Sequence, residues 1–139
     1  MHPTLRLKRA YLAMRRAVEA AVRPFDFTAA QFDVLQLLLH EDGLEHRELQ
    51  SRLAMASPTL TNIVDGMVRE GHVVRSQDDS DGRVKRIHLG ERARAFCGST
   101  EFHDAGQALV KRMFAGFSET ERRQFLSMLS RVEANLDVT

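Results

Sequence analysis

The start of one helix is dictated by two adjacent residues, Ser57-Pro58, and few folds accept what lies on either side of it. Ahead of it, GLEHRELQSRLAMA repeats apolar residues at helical spacing and predicts a short helix over about Glu45 to Ala54, with Leu49 and Leu53 inward. After it, SPTLTNIVDGMVREG reads as a second helix, with Ser57 as N-cap and Pro58 at the first helical position. Proline suits that position because it has no amide proton to leave unsatisfied and its φ is already helical. Ile63, Val64, Met67 and Val68 form the buried stripe, and Gly71 is the stop. Val73-Val74-Arg75 and Lys85 to Leu89 then read as two short strands, joined by the polar, turn-rich stretch Asp78 to Arg83.

The flanks read as helices too. Residues 4–23 place Leu5, Tyr11, Leu12, Met14, Ala17, Val18, Ala21 and Val22 on a wide apolar stripe, which Pro24 ends. Thr28 and Gln31 make a capping box for a strongly apolar helix (Phe32, Val34, Leu35, Leu37, Leu38, Leu39) that stops at Gly43. From Glu91 to Phe117 the pattern is helical again. Gly98 and Gly106 each weaken it by roughly 1 kcal/mol relative to alanine, so a bend is expected there. Ser118 and Glu121 form a second capping box before a last stripe of Phe125, Met128, Leu129, Val132 and Leu136. The predicted fold is therefore mainly α, a single domain over 1–139. A winged helix-turn-helix module at 28–90 carries a two-strand β-hairpin wing, and the helical segments 1–25 and 91–139 flank it. Those segments have more apolar surface than the module can cover. A two-fold homodimer would cover it, and would present two second helices to successive major grooves about 34–36 Å apart.

Composition adds bounds. With 139 residues, 43% hydrophobic and 28% charged, the chain can bury one core, as globular proteins do. It shows no basic start followed by an apolar run and no stretch of about 18 apolar residues, so neither a signal peptide nor a membrane span is expected. One cysteine, Cys97, fits a reducing cytoplasm. The net charge of +1 hides an uneven distribution. Residues 1–23 carry six Lys/Arg against Glu19 alone, residues 24–43 carry four acidic residues and no basic one, and residues 44–89 balance seven against seven. Bulk charge lends little support to a nucleic-acid partner, so placement must supply it. Hydroxyl residues at a helix start, followed by a ribbon with Arg83, Lys85 and Arg86, suit groove reading and phosphate contact on double-stranded DNA.

These stretches also carry a resemblance. TAAQFDVLQLL, the spacing of Gly43, Leu44, Glu48 and Leu49, SPTLTNIVDGMVREGHVVR, DDSDGR and FSETERRQFLSML together resemble the MarR family of bacterial transcription regulators. The resemblance implies a cytoplasmic, homodimeric, sequence-specific DNA-binding regulator: a ligand-responsive repressor of a pseudo-palindromic operator. It implies that Ser57, Thr59, Thr61 and Asn62 lie nearest the DNA; Lys85 joins them from the reading of the basic ribbon itself. Arg83 would stand at the wing tip, aimed at the minor groove, and Asp81 would hold that arginine. The chain departs from the family at Ser80 and Asn62, where basic residues are common. It departs again at Glu45 and Gly90, where a capping threonine is common.

Other chemistry fares less well. The six histidines show no metal-ligand spacing, and no nucleophile elbow or phosphate loop is present, so neither an enzyme nor a cofactor is expected. A small organic effector would enter a cleft between the flanking helices and the module, and Tyr11, Arg15, Phe25 and His40 are its candidate lining. Two alternatives stay open: a winged-helix protein-interaction module with weak or lost DNA binding, and a redox-sensing regulator acting through Cys97.

Overall fold

The computed structural model describes residues 1–137, so the last two residues of the flanking segment 91–139 lie outside the described residues. Helix α1 (Pro3–Val22) runs into a 3₁₀ turn at Arg23–Phe25, as Pro24 requires. Helix α2 (Ala29–His40) opens on the expected box: the Gln31 amide donates to the Thr28 hydroxyl (3.1 Å), and the Thr28 amide to the Gln31 side chain (3.0 Å). Then follow β1 (Leu44–Glu45), α3 (His46–Leu53), α4 (Ser57–Arg69), β2 (Val73–Gln77) and β3 (Lys85–Leu89). The chain closes with α5 (Glu91–Cys97), α6 (Thr100–Met113) and α7 (Glu119–Leu136).

The mainly helical winged fold stands as expected, with three local corrections. The sheet has three strands in the order β1-β3-β2, not two, because Leu44 pairs with Ile87 and Glu45 with Arg86 along the outer edge of the hairpin. Two residues are too short a run to show period-two patterning, so that strand was invisible in sequence. The helix after β3 is two helices: Gly98 caps α5, and Ser99 starts α6 by accepting from the Phe102 amide at 3.3 Å. Gly106 lies inside α6 and breaks nothing. Finally, Ala56 rather than Ser57 is the N-cap of α4, which leaves Ser57 and Pro58 as its first two helical residues. Proline is tolerated throughout the first turn, whose amides have no intrahelical partner.

The core sits where α2, α3, α4 and the sheet meet. Val34, Leu35, Leu49, Leu60, Val64, Met67 and Ile87 have no exposed surface. Each such Leu, Ile or Met side chain contributes about 1.5–3 kcal/mol by leaving water. Leu39, counted with the apolar residues of α2, faces out at 46% exposure. Beyond Ala93, no described residue is fully buried. The C-terminal third therefore owns no core of its own.

The module joins α5 through a tight seam. The Gly90 amide donates to the His72 carbonyl (2.8 Å), and a Cβ on Gly90 would meet the Gly71 carbonyl oxygen at 2.5 Å. Glycine stands at this position because no side chain fits there. His72 itself is 8% exposed, its ring 4.7 Å from that of Phe27, and its buried Nδ1 has no partner among the described residues. Burial, then the nearby Arg92 charge, lowers its pKa below the ordinary 6.5, and Glu70 only partly offsets this. The unfolded chain therefore takes up a proton near 6.5 that the folded chain refuses. This contribution to stability is complete above that pH and shrinks as pH falls below it. The urea midpoint should drop between pH 7 and 5.5, and His72→Phe should flatten that slope. Equal slopes in both proteins would show that His72 does not set it.

Candidate nucleic-acid interface

The first turn of α4, the start of α3 and the wing enclose an open groove of about 570 Å³. Ser57, Thr61, Arg83 and Lys85 line it, as four of the residues picked from the sequence, and His46, Arg47 and Arg75 join them. Thr59 and Asn62 are exposed on α4 outside that lining, and Asp81 lies behind Arg83. Because Ser57 does not cap the helix, its hydroxyl is turned to the groove, where it makes a long hydrogen bond with His46 Nε2 at 3.5 Å. The Thr61 hydroxyl donates back to the Ser57 carbonyl at 2.9 Å and keeps its acceptor lone pairs.

The wing is stiffened from within. The Asp78 amide donates to the Val84 carbonyl (2.9 Å) and the Val84 amide to that of Asp81 (3.0 Å), closing the loop between β2 and β3. Asp78 accepts from the Ser80 amide (2.9 Å), the Ser80 hydroxyl (2.8 Å) and Arg86 (2.8 Å). Those bonds, the Ser80 amide foremost, lower its pKa to about 2. Ser80 therefore clasps the loop. Asp81 does the same for the tip. It accepts from the Arg83 amide at 3.0 Å and from Arg83 Nε at 3.2 Å, which holds its carboxyl below the usual range. The Arg83 side chain stays 93% exposed. The pair orients the guanidinium without hiding it.

Arg86 corrects one expectation. Its guanidinium turns inward to Asp78 and to the Gly43 carbonyl (3.0 Å), so it braces the wing against the β1 loop instead of gripping phosphate. The even count of charges in 44–89 now reads differently. Asp78 is engaged by Arg86, Asp65 by Arg75 and Asp81 by Arg83, while Lys85 forms no ion pair among the described residues. His46 and Arg75 escaped the sequence reading. Their places depend on the turn into α3 and the strand register, which no local motif encodes.

The four effector candidates are not brought into one cavity. Tyr11 is 56% exposed, and His40 is an exposed residue at the end of α2. Arg15 Nη1 donates to both carboxylate oxygens of Asp33, at 3.0 and 2.9 Å. Phe25 packs edge-on to Phe96 (5.0 Å between centroids) and Phe102 (6.3 Å). The apolar cleft beside Phe25, between α1, α2 and α6, holds about 20 Å³, far below the roughly 300 Å³ of a small-molecule site. Cys97 is half-buried, and burial raises its pKa, the opposite of an activated thiol. No helix among the described residues is long and apolar enough to cross a membrane.

Comparison with known proteins agrees with this geometry. Residues 27–85, from Phe27 to the first residue of β3, match the MarR family. The HTH-type transcriptional regulator TtmR of Methylorubrum extorquens is 31% identical over 126 residues, which is 89% of this chain but 62% of TtmR. The chain thus spans under two thirds of that relative's length. The HTH-type regulator YsmB of Bacillus subtilis is 30% identical over 112 residues, 78% of this chain and 73% of YsmB. A MarR variant from E. coli, solved in complex with operator DNA, superposes with a TM-score of 0.80 at 25% identity, covering 91% of this chain and 89% of that one. Fold, wing and relatives converge: the chain belongs to the MarR family of transcriptional regulators.

Proposed function

We propose that this protein is a cytoplasmic, homodimeric repressor that reads a pseudo-palindromic operator through Ser57, Thr59, Thr61 and Asn62 and anchors each wing with Arg83 and Lys85. One observation carries the reading: an exposed arginine, pre-oriented by Asp81, shares a groove with the hydroxyl-rich start of α4. Asp81 acts through Arg83 and does not touch DNA. Backbone amides of the first turn of α4, left without intrahelical partners, suit phosphate. The likeness to a protein solved on operator DNA supports the same partner for this chain.

The dimer is supported by what the flanking segments expose. Leu5, Leu7 and Leu12 on α1 and Phe125, Leu126, Met128, Leu129, Val132 and Leu136 on α7 are each at least 38% exposed. An apolar surface of that extent on 1–25 and 91–139 calls for a partner, and a second copy supplies one by symmetry. An organic effector would act by widening the cleft beside Phe25 and favouring a helix spacing that misfits the operator. It can shift that balance only by binding one spacing better than the other.

Selection from random DNA by the purified protein at defined salt tests the reading. Two inverted half-sites at fixed spacing are expected, with affinity falling steeply as salt rises, since phosphate contacts release counterions. Recovery of no sequence preference would favour a protein-interaction module instead.

A further inference from the structure

Two arginines on one short helix reach back to opposite sides of the reading module. Helix α5 starts directly after β3, at the Gly90 seam. From its first turn, Arg92 donates to the Glu70 carbonyl (3.1 Å) at the end of the recognition helix α4. From the next turn, Arg94 donates to the Asp42 carboxylate, in the loop between α2 and β1. The other oxygen of Asp42 accepts from the Leu89 amide (2.8 Å), where β3 leaves the wing. Asp42 also lies 3.7 Å from His88 Nδ1, and His88 Nε2 lies 2.9 Å from the Ser76 hydroxyl on β2. The loop is pressed onto that ring, since a Cβ on Gly43 would meet His88 Cε1 at 2.9 Å. One guanidinium thus holds the end of the recognition helix, and the other holds the root of the wing.

Arg94 is 55% exposed, and an ion pair so open to water contributes little to folding. Its effect is on orientation. We propose that Asp42, Arg92 and Arg94 are positioning residues that set the angle of α4 and the wing to α5, and through it the half-site spacing that the dimer accepts. This rests on the dimeric reading above. In the pair of modules, a small change of angle at α5 displaces each recognition helix along its groove. A clamp with two anchor points resists that change, whereas the Gly90 seam alone leaves a pivot.

The test compares full-length wild type, Arg94→Gln and Asp42→Asn on duplexes carrying the selected half-sites, with the spacer changed one base pair at a time. Asp42→Asn keeps an acceptor for the Leu89 amide and removes the charge that holds Arg94. Both variants should keep the half-site sequence and the dimer. Their preference for the best spacer over one a base pair longer or shorter should fall about fivefold or more, the low end of coupling between sites. An unchanged spacer preference in both variants overturns the proposal and leaves the dimeric reading standing. So does a loss of affinity equal at every spacer, which marks a merely structural role. A wild type that selects no paired half-sites overturns the dimeric reading and the clamp together.

Discussion

Arg83→Ala should weaken binding to the selected operator by about 1–3 kcal/mol and lower the salt slope by about one, while the oligomeric state stays as it was. The size follows from what the wing has already settled. A free arginine side chain loses about 2 kcal/mol of rotamer entropy when it is fixed on a partner. Here Asp81 holds Nε at 3.2 Å and the loop is closed by backbone bonds, so much of that ordering precedes contact with DNA. Folding should not suffer, because the side chain is 93% exposed. Gel-shift titration at two salt concentrations measures both quantities, and operator binding equal to wild type would remove the wing from the interface. Asp81→Ala tests the orientation. It leaves the guanidinium and removes the carboxylate that holds it, so a smaller loss of affinity is expected.

The parts of this fold legible in sequence were those coded by neighbours. The Thr28 and Ser118 capping boxes, the end of α1 ahead of Pro24 and the Gly71 stop each depend on residues a few positions apart, and each is where the spacing put it. The Asp81–Arg83 pair was implied by the family resemblance rather than by spacing alone, and the two side chains do meet. What could not be read was set at long range. Strand β1 exists only because Leu44 meets Ile87, and Arg86 turns inward only because Asp78 and the Gly43 carbonyl are both within its reach. The same holds for the groove: Arg75 enters it through register, not through any motif. Gly90 shows how a local argument misleads. By capping preference alone, threonine would be better by a few tenths of a kcal/mol, but the Gly71 carbonyl leaves no room for a side chain.

The second large effect concerns the arms. Leu129→Asp should convert the proposed dimer to monomers at micromolar concentration and reduce operator affinity about 100-fold or more. Leu129 is 41% exposed and α7 buries no residue within its own chain, so the fold of the monomer should survive, with its helical circular dichroism unchanged. In the proposed dimer, the new carboxylate would be drawn out of water against Met128, Val132 and their mates, and such a charge is costly to bury. Affinity should fall at least as far as for the strongest single groove residue, because two linked half-sites exceed one by about 10²–10⁴ without any new contact. Sedimentation equilibrium and a gel shift on the same sample decide the matter. A variant that remains dimeric and binds the operator as wild type does would place the interface elsewhere than α7. A monomeric variant with undiminished affinity would break the link between dimer and operator, since a single module would then suffice.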